Sequence, residues 1–386
     1  MFKHRAVQVV LILALYFLLA PVLPPVAHEA LYTISVFIKD LLMWVLPLSV
    51  GLFIAHAIAS FEKRAPLFIL TLISFEALSN LSSVWYAYLG GHLAADFLPT
   101  IQLSTSSTQD IAALWRLPLI KPAWWSADKG ALAGLLIGLF AAFTQKTLLI
   151  EWGKERAEWL LTRCFARLIP LFVLGFVARM YKTSILQNVM AHYSLLILWL
   201  VALLAVYIVA LFLLGSGKAF LRALRNLLPA GGIAFTSGCS ISTMPWTIQS
   251  TAKNLQNPEL ASAIIPATTN IQQIGDCIAN TFLCFLIYRH FFGHNPDLMT
   301  WIHFSTIFVL ARFATAAIIG GAIFIMLPIY ENSLSFNPEM IAIILAFNVL
   351  LDPLITSCNV IANGALCRIF ERVWLSIRGN NVSTVD

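Results

Sequence analysis

The chain is 386 residues long, 60% hydrophobic and only 11% charged, with a net charge of +6 and a mean hydropathy of +0.84. A soluble domain carries about 25% charged residues, so this composition excludes a water-covered globule and sets most of the surface against lipid. The basic residues sit in short loops between apolar runs, not on a stripe interleaved with aromatics, which excludes nucleic acid as a partner and marks them as topology charges.

Apolar runs long enough to cross about 30 Å of hydrocarbon fall at 6–25, 31–60, 66–91, 130–150, 158–181, 192–215, 260–290 and 338–370. The first opens MFKHRAVQVVLILALYFLLAPVLPP and has the look of a signal peptide. VAHEA is a poor cleavage site, so it is expected to stay as a span. Two further apolar stretches, near 222–256 and 301–330, are interrupted: the first by SGCSISTMP, the second by ATAAIIGGA (314–322). Such breaks are tolerated at membrane depth only where backbone is buried in protein or lines a cavity. Paired interrupted segments also point to a transporter's substrate site. Both are expected to be re-entrant hairpins. Cys164, Cys239, Cys277, Cys284, Cys358 and Cys367 form no CxxC pair and lie mostly in apolar runs, so they are expected as buried packing residues, not disulfides or metal ligands.

Lys3, Arg5, Lys63, Arg64, Lys146, Lys154, Arg156, Lys218, Arg222 and Arg225 share one side if the N-terminus is cytoplasmic. Arg368, Arg372 and Arg378 join them if the interrupted stretches are hairpins. The loops 90–110 and 291–299 then face outward with few cations, as the positive-inside rule requires. Charge alone does not separate hairpins from crossings; the small-residue breaks do.

The run IPATTNIQQIGDCIANTF (265–282) is polar for a span, through Thr269, Asn270, Gln272, Gln273, Asp276 and Asn280. Gly275 is expected where unwound backbone exposes carbonyls to a cation. Asp276 is a carboxylate at membrane depth, suited to carry a proton. In the last run, at about 100° per residue, Asn348, Thr356, Asn359 and Asn363 all fall within about 40° of Asp352. An acid flanked by amides on one helix face is costly unless it faces a cavity or the protein interior. Helix–helix glue is the plain alternative, but five aligned residues including an acid fit a site better. Pro353 also frees the carbonyl of Val349.

The order of these elements resembles the dicarboxylate/amino acid:cation symporter family, with its glutamate-transporter-like fold. FIKDLLMWVLPLSVGLFIAHAIAS (37–60) is similar to that family's second span, FLRALRNLLPAGGIAFTSGCSISTMP (220–245) to its first hairpin, and ILAFNVLLDPLITSCNVIANGAL (344–366) to its last span. The resemblance implies an all-α polytopic membrane protein with eight transmembrane helices plus two re-entrant hairpins. It implies a homotrimer working as an elevator. The scaffold would comprise 1–64 and 93–182, the moving domain 65–92 and 183–370, and the tail 371–386.

The family's functional positions carry over unevenly. Its three hairpin serines align with Cys239, Ser240 and Ile241, while Thr243 and Pro245 match its Thr and Pro. Asp352 matches the acid that binds a substrate ammonium, and Asn359 the amide that binds a substrate carboxylate. The arginine that grips an acidic side chain is replaced by Ile355. That argues against an acidic amino acid, which would lack a bidentate partner. Arg312 is a possible substitute from another direction; a snorkelling or structural role is the plainer reading. The family's Asn-Met-Asp-Gly-Thr aligns with Gln272, Gln273, Ile274, Gly275 and Asp276, and its later sodium-binding Asp with Asn363. The substrate set implied is Ser240, Ile241, Thr243, Asp352, Ile355, Thr356 and Asn359. The ion-coupling set is Asn270, Gln272, Gln273, Asp276, Asn348 and Asn363. The expectation is a symporter of a small zwitterion, a neutral amino acid above all, driven by Na+ and/or H+, with no cofactor and no resident metal.

The partners expected are the small-molecule substrate and the lipid bilayer of a cell membrane, with both termini cytoplasmic. Readings kept open are a dicarboxylate symporter, a channel, and a transporter-like sensor or scaffold. An intramembrane hydrolase using Ser240 or Ser242 finds no motif around His56 or His303 and no HExxH, so no enzyme is expected.

Overall fold

The computed structural model of the chain describes residues 14–59, 66–95, 113–116, 127–144, 148–182, 185–238, 240–269, 271–315 and 322–382, with single positions at 12, 97, 118, 122 and 125. Among these there is helix and no strand. Packing divides the chain into two compact units. The first is Met1–Ser60, Ala95–Ile197 and Cys284–Leu350; the second is Phe61–Ala94, Leu198–Leu283 and Leu351–Asp386.

In the first unit, α1 (Pro25–Ala59) has 35 residues. At ~1.5 Å per residue it is longer than the ~30 Å of hydrocarbon requires. It packs on α3 (Ala127–Thr144) and α5 (Ala166–Lys182). A Cβ on Gly130 or Gly134 would land on the backbone of Pro47 or Gly51, and one on Gly175 on the carbonyl of Leu31. Ser35 Oγ donates to the Leu171 carbonyl (3.1 Å). Without a hydrophobic drive between helices in lipid, such backbone approach is what holds spans together. Gly134→Ala must push the α1 and α3 backbones away from each other. It is expected to cost about 1–3 kcal/mol, read as a lowered melting temperature in detergent. Gly232→Ala, where a Cβ meets nothing within 4 Å, serves as the neutral control.

Between α3 and α5 lie α4 (Leu148–Trp159) and a π-helical turn, Leu160–Phe165. The helix therefore starts ten residues ahead of the apolar run expected at 158–181. Hydropathy marks lipid depth, whereas helix continues through good formers such as Glu151, Lys154 and Glu155. The last helix shows the same effect, running to Val382. Also in this unit, α11 (Leu298–Thr315) is capped by Asp297, whose carboxylate accepts from Thr300 N (3.0 Å) and Thr300 Oγ1 (2.6 Å). α11 and α12 (Ala322–Leu334) pair through Phe304, Phe308 and Tyr330 and pack on α1 and α3. The interruption expected at 314–322 lies almost wholly outside the described residues.

Three long helices pass from the first unit to the second or back: α6 (Ile185–Ser216), α10 (Ile274–Phe292) and α13 (Pro338–Val382). The second unit adds α2 (Pro66–Ala95), α7 (Phe220–Ser237), α8 (Ser240–Ala252), α9 (Glu259–Thr268) and most of α13 (Pro338–Val382). α7 and α8 form a helical hairpin. α7 ends at Gly238 (φ 59°, ψ 27°), whose N–H bonds the Ala234 carbonyl at 2.9 Å; the left-handed turn requires glycine. Hairpin and α13 meet through Ala230, Ala234 and Val360, with Ser357 Oγ donating to the Gly231 carbonyl (2.9 Å). The base of the hairpin is fixed by fully buried Glu371. It accepts from Gln256 N (3.1 Å) and Asn257 N (2.7 Å) and pairs with Arg368.

Among the described residues, Leu195–Phe235 and Leu350–Ile377 are long and apolar enough to cross a membrane. Cys277, Cys284, Cys358 and Cys367 are buried as expected, but Cys164 is exposed, on the π-helical turn, where burial was expected. Cys239 lies outside the described residues.

Candidate functional site

The site lies within the second unit, where α13 faces the hairpin turn and the break between α9 and α10. Asp352 comes first. A Cβ on Gly238 would stand 3.6 Å from Asp352 Oδ2, so the carboxylate abuts the hairpin turn. Asp352 is exposed to a solvent-sized probe. Ser240 and Ile241, the first residues of α8, are half-buried beside the turn. Helix N-termini carry unpaired N–H groups and partial positive charge. Thr243 is fully buried inside α8, where its carbonyl accepts from Thr247 Oγ1 (3.1 Å).

The break comes next. Thr269 and residues 271–273 leave helix between α9 and α10. The sequence put the unwinding at Gly275. The structure places Gly275 inside the first turn of α10, because its N–H has a partner: Asn359 Oδ1 at 2.8 Å. A Cβ there would come within 2.6 Å of the Ile355 carbonyl, so α10 and α13 approach through glycine. Asn359 also accepts from Asp276 N (3.4 Å) and donates through Nδ2 to Asp276 Oδ2 (2.7 Å). Asn280 Nδ2 reaches Asp276 Oδ1 (3.3 Å). Both oxygens of Asp276 therefore accept hydrogen bonds. Asp276 lies within electrostatic reach of Asp352.

Further polar side chains clamp the break. With its amide turned to satisfy both ends, Gln272 donates to the Asn359 carbonyl (3.0 Å) and accepts from Ile274 N (3.3 Å). Thr268 Oγ1 donates to Asn363 Oδ1 (2.8 Å). Asn80 of α2, fully buried, donates to the Ile271 carbonyl (3.0 Å) and accepts from Gln273 N (3.2 Å).

The structure thus gathers Ser240, Ile241, Asp352, Asn359, Gln272, Gln273, Asp276 and Asn363 about one region, with Ile355 and Thr356 buried on the same helix. Asn270 lies outside the described residues. Asn348 and Arg312 belong to the first unit. There Asn348 Nδ2 bonds the Ile344 carbonyl (2.9 Å). Arg312 is 1% exposed, its guanidinium 4.7 Å from the Phe308 ring centroid. It is a buried structural cation and does not snorkel. Sequence reading missed Asn80. Its signal was LSNLSS (78–83), a cluster of small polar residues in an apolar helix.

The model of one family, the sodium:dicarboxylate symporter family, matches residues 134–373. No curated protein matches the chain.

Proposed function

The chain belongs to the sodium:dicarboxylate symporter family, a family of membrane transporters, and from that membership we propose that its cargo is a small zwitterion, a neutral amino acid above all. The carrying observation is the Asp352 carboxylate beside the Gly238 turn. Amide donors at the start of α8 suit the substrate's carboxylate, and Asp352 suits its ammonium. Ile355 leaves the side chain an apolar neighbour and no cation.

The coupling ion is Na+ and/or H+. Asp276, its carboxyl oxygens bonded by two amides beside non-helical backbone, suits a hard cation's preference for oxygen. The remaining ion-coupling positions proposed are Gln272, Gln273 and Asn363, together with Asn348 of the first unit and with Asn270, which lies outside the described residues. The proposed carrier is a homotrimer in a cell membrane with both termini cytoplasmic. Its hairpins are re-entrant, and 65–92 and 183–370 move against 1–64 and 93–182. In the structure α11 and α12 pack on α1 and α3, so this elevator motion has to release that packing.

The test is purified protein in liposomes, offered neutral amino acids and dicarboxylates under separate sodium and proton gradients. Accumulation of a neutral amino acid is expected. Uptake of dicarboxylates in preference overturns the substrate assignment. Loss of gradient-driven uptake in Asp276→Asn is expected; full retention removes Asp276 from coupling.

A further inference from the structure

Glu76 sits in the middle of α2, in the stretch ILTLISFEALSN. Its side chain is 2% exposed, and Oε2 meets no hydrogen-bond donor. Leu72, one turn earlier, is buried with Ile264, Ile265, Cys367 and Phe370, against which Phe75, Met244 and Ile248 pack. Cys367 of α13 lies within electrostatic reach of Glu76. An ionised carboxylate in such a place costs several kcal/mol (about 20 in the idealised limit) unless a cation or donors compensate.

None does. The titratable and charged groups on the facing stretch of α13 are Cys367, Arg368 and Glu371. Arg368 is taken by Glu371, which also binds the amides of Gln256 and Asn257. The parts of α8 and α9 in this cluster offer Met244, Ile248, Ile264 and Ile265, none of them titratable. Two hydroxyls in the unit, Ser79 Oγ and Thr251 Oγ1, are likewise buried without a partner. Ser79 is one turn from Glu76 on α2.

Position gives this carboxyl a use. One turn along α2 stands Asn80, which holds the Ile271 carbonyl and the Gln273 N–H. One turn back along α13 from Cys367 stands Asn363, which holds Thr268. Glu76 therefore neighbours both clamps on the non-helical segment that leads into Asp276. A hard cation needs several oxygen ligands, which an apolar cluster with one hydroxyl does not offer; a proton needs only the carboxyl.

We propose that Glu76 is a proton-binding site of this carrier, its carboxyl neutral in the state described and releasing its proton when the 271–273 segment that Asn80 clamps rearranges. Coupling of that proton to transport rests on the symport reading; the neutral carboxyl does not. The experiment is the infrared spectrum of the purified full chain in lipid nanodiscs at neutral pH. A free-acid carbonyl band, shifted in deuterated water, is expected in the native protein and in Asp276→Asn and Asp352→Asn, and reduced in Glu76→Gln. Identical bands in the native protein and Glu76→Gln overturn the proposal. So does loss of the native band on adding sodium chloride at fixed pH, which would make Glu76 a sodium ligand. As a second readout, melting temperature should fall at alkaline pH in the native protein, where the proton is lost, and fall less in Glu76→Gln. Equal falls count against the site. Failure to find a substrate in liposomes leaves the infrared result standing, so the two readings fail separately.

Discussion

Asp352→Ala is expected to abolish binding of a zwitterionic substrate. Truncating one partner of a desolvated charge pair costs about 2–5 kcal/mol, a loss of roughly 30-fold to several thousand-fold in affinity. The measurement is calorimetric titration of the purified protein with the amino acid that liposome uptake identifies. Asp352→Asn separates charge from shape. It keeps the volume beside Gly238 and removes the attraction, so it should lose nearly as much affinity as alanine. Asp352 is exposed in the structure, so neither variant is expected to unfold the chain. A competing role exists for this carboxylate, since it stands beside the turn that leads into the positive end of α8. If that is its whole purpose, Asp352→Ala lowers the melting temperature and leaves affinity unchanged, and the substrate assignment fails.

Asn359→Ala should damage both stability and binding. The single amide serves Gly275 N, Asp276 N and the Asp276 carboxylate. Each buried group left unsatisfied costs about 1–3 kcal/mol, more when charged. The melting temperature should therefore fall by more than in a Thr356→Ala control. Asn359→Asp should be worse near neutral pH, because it sets a second carboxylate against Asp276, and should recover partly on acidification. A double-mutant cycle with Asp276→Asn isolates the pair. Contacting residues typically show coupling of about 0.5–3 kcal/mol. Additive losses would mean that Asn359 and Asp276 act independently and that the α10–α13 joint is not what positions the site.

Asn359 also shows how far the sequence could be read. Periodicity placed it on one stripe with Asp352 and Asn363; Asn359 and Asn363 are buried, whereas Asp352 is exposed. Its partners stand 83 and 84 residues away in the chain, and helical phase carries no information about them. Asn80 is the stronger case. Its clamp on Ile271 and Gln273 spans 191 and 193 residues, and LSNLSS alone does not say whether such a cluster binds a helix, an ion or lipid headgroups. Arg312 left two readings open, a snorkelling or a structural cation, and the structure decides for the second by burying it against Phe308.

The sequence by itself determined the solvent, the order of the helices, the break at Gly238 and the polar face of the last helix. These follow from composition, from runs of apolar residues and from the 3.6-residue period, all of which act locally along the chain. Tertiary structure alone decided that Gly275 is helical, that Asp276 is held by two amides, and that Glu76 Oε2 is buried without a partner among the described residues. Each depends on which polar groups meet across helices distant in sequence. In a medium without water every such group must find its partner inside the protein, and only the packed fold says which it finds.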